Sequence, residues 1–245
     1  MTAHACPTFT TEQLFGDSLL VRQPSRGYRF TVDSVILAHF VTPPTGSRIV
    51  DLGSGSGIIP LVLAYRHPAT QIAGVEIQKN LAALARENID LNRLAHRITV
   101  FHGDMKDREI REKLGRASLV VSNPPYTPLS SGRINPDPEK AVARHEVAIT
   151  LKALVETASA LLVPLGKFSV IVPCGRLSEL LETLQGESFS PARIRFVHPL
   201  KQEPAKRVLV ESVKDGQGRA EECPPLFIYE RHRCYSGDME EMFRA

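Results

Sequence analysis

The sequence has few of the residues from which disulfides and metal centres are built. Its 245 residues include four cysteines, Cys6, Cys174, Cys223 and Cys234, and none of them forms a close pair of the Cys-x-x-Cys kind. We therefore expect free thiols in a reducing compartment. Cys223, His232 and Cys234 lie near one another, but a fourth ligand at useful spacing is lacking, so we expect no metal site.

Long apolar segments are lacking as well. No apolar run reaches membrane-spanning length, and Met1 to Thr11 has neither a charged start nor an apolar core. These absences favour a soluble, unexported protein, which we expect in the cytoplasm. The sequence contains no internal repeat, and its length suits one α/β domain with a small extension.

Helical and extended patterns alternate from Ser47 onward. This alternation predicts a doubly wound, mostly parallel sheet with helices on both faces. Residues 1–46 are expected to form an N-terminal extension that packs on a catalytic domain of residues 47–245. After Pro191, the extended runs Arg193 to His198 and Arg207 to Val213 predict an antiparallel hairpin, and a last strand is predicted at Leu226 to Tyr229. The predicted helices are Val32 to Val41, Ile58 to His67, Gln78 to Leu91, Val147 to Leu162 and Arg176 to Gln185.

A glycine-rich turn joins a predicted strand to a predicted helix. The strand Arg48 to Leu52 is followed by Gly53, Ser54, Gly55, Ser56 and Gly57. Glycines at alternate positions allow the backbone to approach a ligand closely at the start of a helix. Only one residue separates the last two glycines, whereas a dinucleotide fingerprint has two, so the turn does not predict a pyrophosphate site.

Acidic side chains follow three successive predicted strands. These residues are Asp51, Glu76 and Asp104. Glu76 comes about 20 positions after the glycines, where an acid can bind the hydroxyls of a ribose. A nucleoside that carries a cationic centre and no phosphate suits such a site better than NAD does, because the pyrophosphate of NAD would face Asp51.

A further predicted strand ends in Asn123, Pro124, Pro125 and Tyr126. The two prolines favour a stiff, extended turn whose carbonyls are unpaired. The amide oxygen of Asn123 and the carbonyl of Pro124 are acceptors beside the aromatic ring of Tyr126. This combination suits a planar group that bears an NH2, such as adenine or a carboxamide.

Basic residues occur in three clusters around the predicted pocket. The formal net charge is only +3, so the distribution of the basic residues is more informative than the total charge. Together with a nucleobase pocket, they favour RNA or DNA as the partner over a small metabolite. The clusters are Arg22, Arg26 and Arg29; Arg133, Lys140 and Arg144; and Arg193, Arg195, Lys201, Lys206 and Arg207.

These motifs together resemble those of class I S-adenosylmethionine-dependent methyltransferases. Within that class, the chain is similar to the bacterial valine tRNA adenine N6 methyltransferase family, and the similarity spans nearly the whole chain. Beyond the pocket motifs, the resemblance is carried by these residues: Gln23, Gly27, Tyr28, Arg29, Phe30, Asp33, Gly132 to Pro136, Ala143 to Glu146, Lys206 to Leu209 and Pro224 to Leu226. The Pro-rich stretch Pro128 to Pro138 departs from the family and leaves the base-binding lid undefined.

The resemblance implies a seven-stranded Rossmann-like sheet, S-adenosylmethionine as cofactor and tRNA as partner. It implies catalysis by Asn123, Pro124, Pro125 and Tyr126. The substrate would be bound by Tyr126, Arg133, Arg144, Lys206 and Arg207. The cofactor would be bound by Asp51, Gly53, Ser54, Gly55, Gly57, Glu76, Ile77, Asp104, Met105 and Asn123.

Two other functions compete with methylation of adenine in tRNA. The Asn-Pro-Pro-Tyr signature is shared with protein glutamine methyltransferases, although those enzymes have a helical domain ahead of the glycine turn. The 47 residues that precede the strand here leave little room for one. A non-catalytic RNA-binding or cofactor-sensing module is the other alternative. The intact set of Asp51, Glu76, Asp104 and Asn123 argues against it.

Overall fold

The computed structural model of the chain describes residues 9–16, 18–25, 29–125 and 150–244. Eight of its strands form one sheet, in the order β10-β8-β9-β7-β6-β3-β4-β5, while β1 pairs with β2 and β11 with β12. The strands are β1 (Phe9–Leu14), β2 (Leu19–Pro24), β3 (Arg48–Leu52), β4 (Gln71–Glu76), β5 (Ile98–His102), β6 (Ala117–Ser122), β7 (Leu162–Pro173), β8 (Phe189–His198), β9 (Arg207–Lys214), β10 (Glu221–Phe227), β11 (Tyr229–Arg231) and β12 (Cys234–Tyr235).

Helices cover both faces of the large sheet. Residues of α1, α2, α3 and α7 pack in one apolar core, and residues of α4, α5 and α6 pack in a second core on the other face. The helices are α1 (Val32–Phe40), α2 (Ile58–Arg66), α3 (Lys79–Leu91), α4 (Arg108–Leu114), α5 (Leu151–Leu161), α6 (Leu177–Gly186) and α7 (Gly237–Arg244), with a short 3-10 helix at Cys174–Arg176.

The predicted doubly wound sheet is confirmed. The five strands β3 to β7 are mutually parallel, and β9 pairs antiparallel with both β7 and β8, which is the predicted hairpin. Strand β9 lies between β7 and β8, so the hairpin extends the sheet by two strands.

The sheet has eight strands rather than the seven expected, because β10 adds to β8 in parallel. The strand predicted at Leu226 to Tyr229 overlaps β10 only at its end, because Pro224 and Pro225 concealed the preceding residues. Proline removes a ladder donor, and a strand that contains it is tolerated at a sheet edge or a bulge. Both conditions hold here, since β10 is the outer strand and its register shifts between Cys223 and Leu226. Strand β1 and the helices α4 and α7 were also missed.

Asn88 of α3 and Asn92, at the C-cap of the same helix, attach the N-terminal hairpin to α3. Asn92 accepts from the backbone N–H of Leu20 and donates to its carbonyl, and Asn88 does the same at Arg22. Asn88 is fully buried and also donates to the Ser56 carbonyl at 3.0 Å. The hairpin and the glycine turn are therefore held by one side chain. No helix in the described part of the chain is long and apolar enough to span a membrane.

Candidate functional site

The carboxyl ends of β3, β4 and β6 meet at one edge of the sheet. Strand β3 lies between β4 and β6, so that Asp51 is opposite Gly74 on one side and Val121 on the other. From β3 the chain passes through α2 to β4 on one side. It later returns from β5 through α4 to β6, which lies on the other side of β3. Open α/β sheets bind ligands at such a switch point.

The glycines of the turn after β3 adopt backbone conformations with positive φ angles. Gly53, Gly55 and Gly57 have φ angles of 82°, 55° and 85°, a region in which a side chain is strained. Gly57 precedes the first turn of α2, and a Cβ there would lie 3.2 Å from that of Ala85. The turn therefore has the close backbone approach that its sequence predicted.

Glu76 is tied to this turn by its carboxylate. One oxygen accepts from the Gly55 N–H at 2.9 Å, and the other accepts from the Gln78 N–H at 2.8 Å. Burial raises the pKa of Glu76, and these two amide donors oppose the rise. The Ile77 N–H is a third amide donor to this carboxylate, which has about four acceptor positions and so keeps capacity for a ribose hydroxyl.

Asp51 is fully buried, and neither of its carboxylate oxygens meets a hydrogen-bond donor among the described residues. Burial raises the pKa of Asp51 from 3.8 to about 7; the nearby Ser54 hydroxyl opposes this rise and the Glu76 carboxylate adds to it. A buried carboxylate without partners is costly unless a ligand supplies a donor or a positive charge. Asp51 therefore fits a cationic ligand.

The remaining predicted cofactor residues are placed around this pair. Ile77 directly follows Glu76 and is 40% exposed, so an apolar surface lies next to the acid. The Gly103 N–H donates to the Glu76 carbonyl at 3.1 Å, which holds the end of β5 beside β4. Asp104 bonds the Lys106 N–H and pairs with its ammonium group at 3.2 Å, and Met105 packs against the core.

Asn123 directly follows β6 and is half-buried. Its amide nitrogen donates to the hydroxyl of Ser34 in α1 at 3.0 Å. Pro124 is buried and Pro125 is exposed. None of the described residues donates a hydrogen bond to the Pro124 carbonyl. The amide oxygen of Asn123 and this carbonyl are therefore two acceptors at the end of the strand.

The predicted substrate residues divide into two groups. Tyr126, Arg133, Arg144 and the stretch Pro128 to Pro138 lie outside the described residues and stay predictions. Lys206 and Arg207 lie at the start of β9. Lys206 is exposed, whereas the guanidinium of Arg207 pairs with Asp33 of α1 at 2.9 Å.

Several other arginines of the predicted basic clusters have internal partners. Arg193 pairs with the buried Glu211 at 3.0 Å and stacks on Phe40. Arg22 pairs with Glu87, and Arg29 pairs with Glu12. Arg193 is therefore not a free cation of its cluster, because an ion pair with a buried carboxylate holds it in the fold.

Sequence reasoning missed two residues of the site, Ser34 and Asn88. Both are polar side chains in otherwise apolar helix faces, and both are buried. A buried polar side chain needs a partner, and in each case the partner belongs to the site: the Asn123 amide and the Ser56 carbonyl. Their positions within apolar faces were the available signal.

The residues of the pocket fit S-adenosylmethionine. The orphaned carboxylate of Asp51 suits its positive charge, and the Glu76 carboxylate suits its ribose. The exposed Ile77 provides an apolar surface of the kind that a nucleobase can cover. The turn offers no arginine or lysine for a phosphate, since its residues between Asp51 and Gly57 are uncharged.

Comparison with known proteins agrees with this geometry. The family model described as methyltransferase small domain matches residues 31–182. A tRNA1(Val) (adenine(37)-N6)-methyltransferase of Porphyromonas gingivalis is 33% identical over 197 residues, which cover 78% of this chain and 76% of the relative. A protein of the same name from Parabacteroides distasonis is 31% identical over 201 residues, 82% of this chain and 83% of the relative.

Among solved structures, a protein of Agrobacterium tumefaciens described as a predicted O-methyltransferase is similar in fold. Its TM-score is 0.69 at 25% sequence identity, and the match covers 87% of this chain and 97% of that one. The likeness therefore extends over most of the chain.

Proposed function

Since this chain belongs to the methyltransferase small domain family, we propose that it methylates the exocyclic N6 amino group of an adenine in tRNA with S-adenosylmethionine. The observation that carries the proposal is the amide of Asn123, which is held by Ser34 and is followed at the end of β6 by the Pro124 carbonyl, an acceptor to which no described residue donates. Two acceptors so placed match an NH2 group. The names of the relatives support position 37 of a valine tRNA as the target.

The chemistry required of the chain's own residues is modest. S-adenosylmethionine supplies a methyl group that is already activated by its sulfonium. The adenine amine is a poor nucleophile, because its lone pair is delocalised into the ring. Hydrogen bonds from the NH2 to Asn123 and Pro124 draw it towards tetrahedral geometry and stabilise the positive charge that develops on nitrogen. No strong base is needed, because the methylated cation loses its proton readily.

The site also has to receive an unstacked base. Tyr126 is proposed to stack on the adenine, an interaction worth roughly 1–3 kcal/mol. A base in an RNA loop is cheaper to expose than one in duplex DNA. A loop position such as 37 therefore suits a pocket at the open edge of a sheet.

The proposal is tested by offering the enzyme labelled cofactor with three separate acceptors: unmodified tRNA, DNA and a release-factor-type protein. We expect label in tRNA alone. A valine tRNA transcript with guanine in place of adenine 37 is the matched control, and it should remain unlabelled. Label in the protein acceptor would replace the proposal with glutamine methylation, and label in no acceptor would favour a non-catalytic module.

A further inference from the structure

We infer that Ser34 is a positioning residue for Asn123: its hydroxyl holds the amide in the rotamer and orientation that the reaction needs. The Ser34 Oγ lies 3.0 Å from the Asn123 Nδ2, and Ser34 is 2% exposed. The inference rests on the proposed function, because it takes Asn123 as the residue that binds the target amine.

The two ends of an asparagine amide differ in chemistry. The oxygen accepts hydrogen bonds, and the nitrogen donates them. A target NH2 needs the oxygen. When the nitrogen is bound by Ser34, the oxygen is directed to the other side, where it is free to accept. Without that partner, the side chain gains other rotamers and loses the preorganised geometry on which catalysis depends.

The helix that carries Ser34 is itself fixed at this point. The Ser34 N–H donates to the Thr31 carbonyl at 3.1 Å, in the first turn of α1. The adjacent Asp33 pairs with Arg207 of β9 at 2.9 Å and is 15% exposed in its side chain. The first turn of α1 is therefore held from the C-terminal hairpin on one side and contacts the Asn123 amide on the other.

The first experiment compares Ser34→Ala with the parent enzyme in single-turnover methylation of tRNA. We expect a rate about two- to tenfold lower, the range for one lost neutral hydrogen bond. Cofactor affinity and tRNA affinity should be unchanged. Ser34→Thr keeps the hydroxyl and should recover most of the rate. Ser212→Ala is the matched control, because it also removes a buried hydroxyl, which bonds the Phe168 carbonyl in the core at 3.3 Å.

A double-mutant cycle separates positioning from general structure. If Ser34 acts through Asn123, adding Ser34→Ala to Asn123→Ala should not lower the rate further. Equal rates for parent and Ser34→Ala would overturn the inference. So would the same fold-loss in both backgrounds, or a loss of cofactor affinity alongside the rate. If Asn123→Ala itself kept the parental rate, the catalytic role of Asn123 in the proposed function would fail first. These outcomes are therefore distinguishable.

Discussion

The two sides of the site are built in different ways. The cofactor side, which we define as Asp51 to Gly57 with Glu76, is assembled largely from backbone groups. Its central contact joins the Gly55 N–H to the Glu76 carboxylate, and its glycines adopt the positive φ angles that the turn requires. The Asp51 carboxylate is left unpaired among the described residues.

The proposed substrate side, defined as Ser34, Asn123, Lys206 and Arg207, is assembled from side chains of distant segments. Ser34 contacts Asn123 across 89 positions of the chain, and Arg207 pairs with Asp33 across 174. Here the charge of Arg207 is balanced within the protein. The two sides therefore differ in how their charges are used. On the cofactor side, the Asp51 carboxylate has no partner among the described residues and is available to a ligand. On the substrate side, Arg207 forms an ion pair within the protein.

The strongest test of this division is Asn123→Ala. We expect turnover to fall by about two to three decades, on the order of the loss of one transition-state hydrogen bond, while cofactor affinity stays nearly intact. Single-turnover kinetics and calorimetry measure the two quantities separately. A matched loss of cofactor affinity would show that the two sides are not independent, and parental turnover would remove Asn123 from the catalytic role.

Glu76→Ala should act on the cofactor side alone. Hydrogen bonds to a charged acceptor contribute roughly 1.5–3 kcal/mol, so we expect cofactor affinity to fall by about ten- to 150-fold. Glu76→Gln is the control, because it keeps an acceptor but removes the charge, and its loss should be smaller. Calorimetry with S-adenosylmethionine gives both values. Unchanged affinity in Glu76→Ala would leave Glu76 with the structural contacts to Gly55 and Gln78 only.

The difference between the two sides explains what the sequence could reveal. The glycine turn and the strand-end acids were readable because they are local: short spacing determines the turn, and the end of an apolar run places Asp51 and Glu76. The contact of Ser34 with Asn123 depends on packing α1 beside β6, which no local pattern encodes. Most of strand β10 was missed because a strand that contains proline is acceptable only at an edge or a bulge.

The basic residues show the same limit of prediction from sequence. A sequence displays Arg193 and Lys206 as equal charges, yet one is paired with a buried glutamate and the other is exposed. Which arginines are free depends on where Glu211 and Asp33 come to lie in the fold. The predicted pocket residues are thus mostly brought together, whereas the predicted cationic surface is reduced.

The raised pKa of Asp51 predicts that cofactor binding depends on pH. Its pKa of about 7 lies above the ordinary value, so in the free protein the group is protonated below pH 7. A cationic ligand favours the charged form. Binding below that pKa must therefore release a proton, and affinity should fall by up to about tenfold for each pH unit below 7 and level off above it.

The matched variant is Asp51→Asn, which cannot titrate. Its cofactor affinity should be weaker than that of the parent above pH 7 and nearly constant from pH 6 to 8. Calorimetry in buffers of different ionisation enthalpy also counts the protons released. Equal slopes of affinity against pH in parent and variant would assign the titration to another group. Affinity for tRNA provides the comparison on the substrate side, where Asp51 should have no effect.

The smallest expected effect concerns Lys206. It is exposed at the start of β9, while its neighbour Arg207 is held by Asp33, so Lys206 is the member of the pair that is free to contact a phosphate. Removing one such contact should weaken tRNA binding a few-fold and flatten the slope of log affinity against log salt by about 0.7–0.9. Lys113→Ala is the control, since this lysine pairs with Glu109 in α4, before the start of β6 and away from the carboxyl ends of the strands. A salt titration of parent, Lys206→Ala and Lys113→Ala against one tRNA decides the matter: a shallower slope in Lys206→Ala alone supports the phosphate contact, and superimposable slopes would leave Lys206 as a solvated side chain with no part in RNA binding.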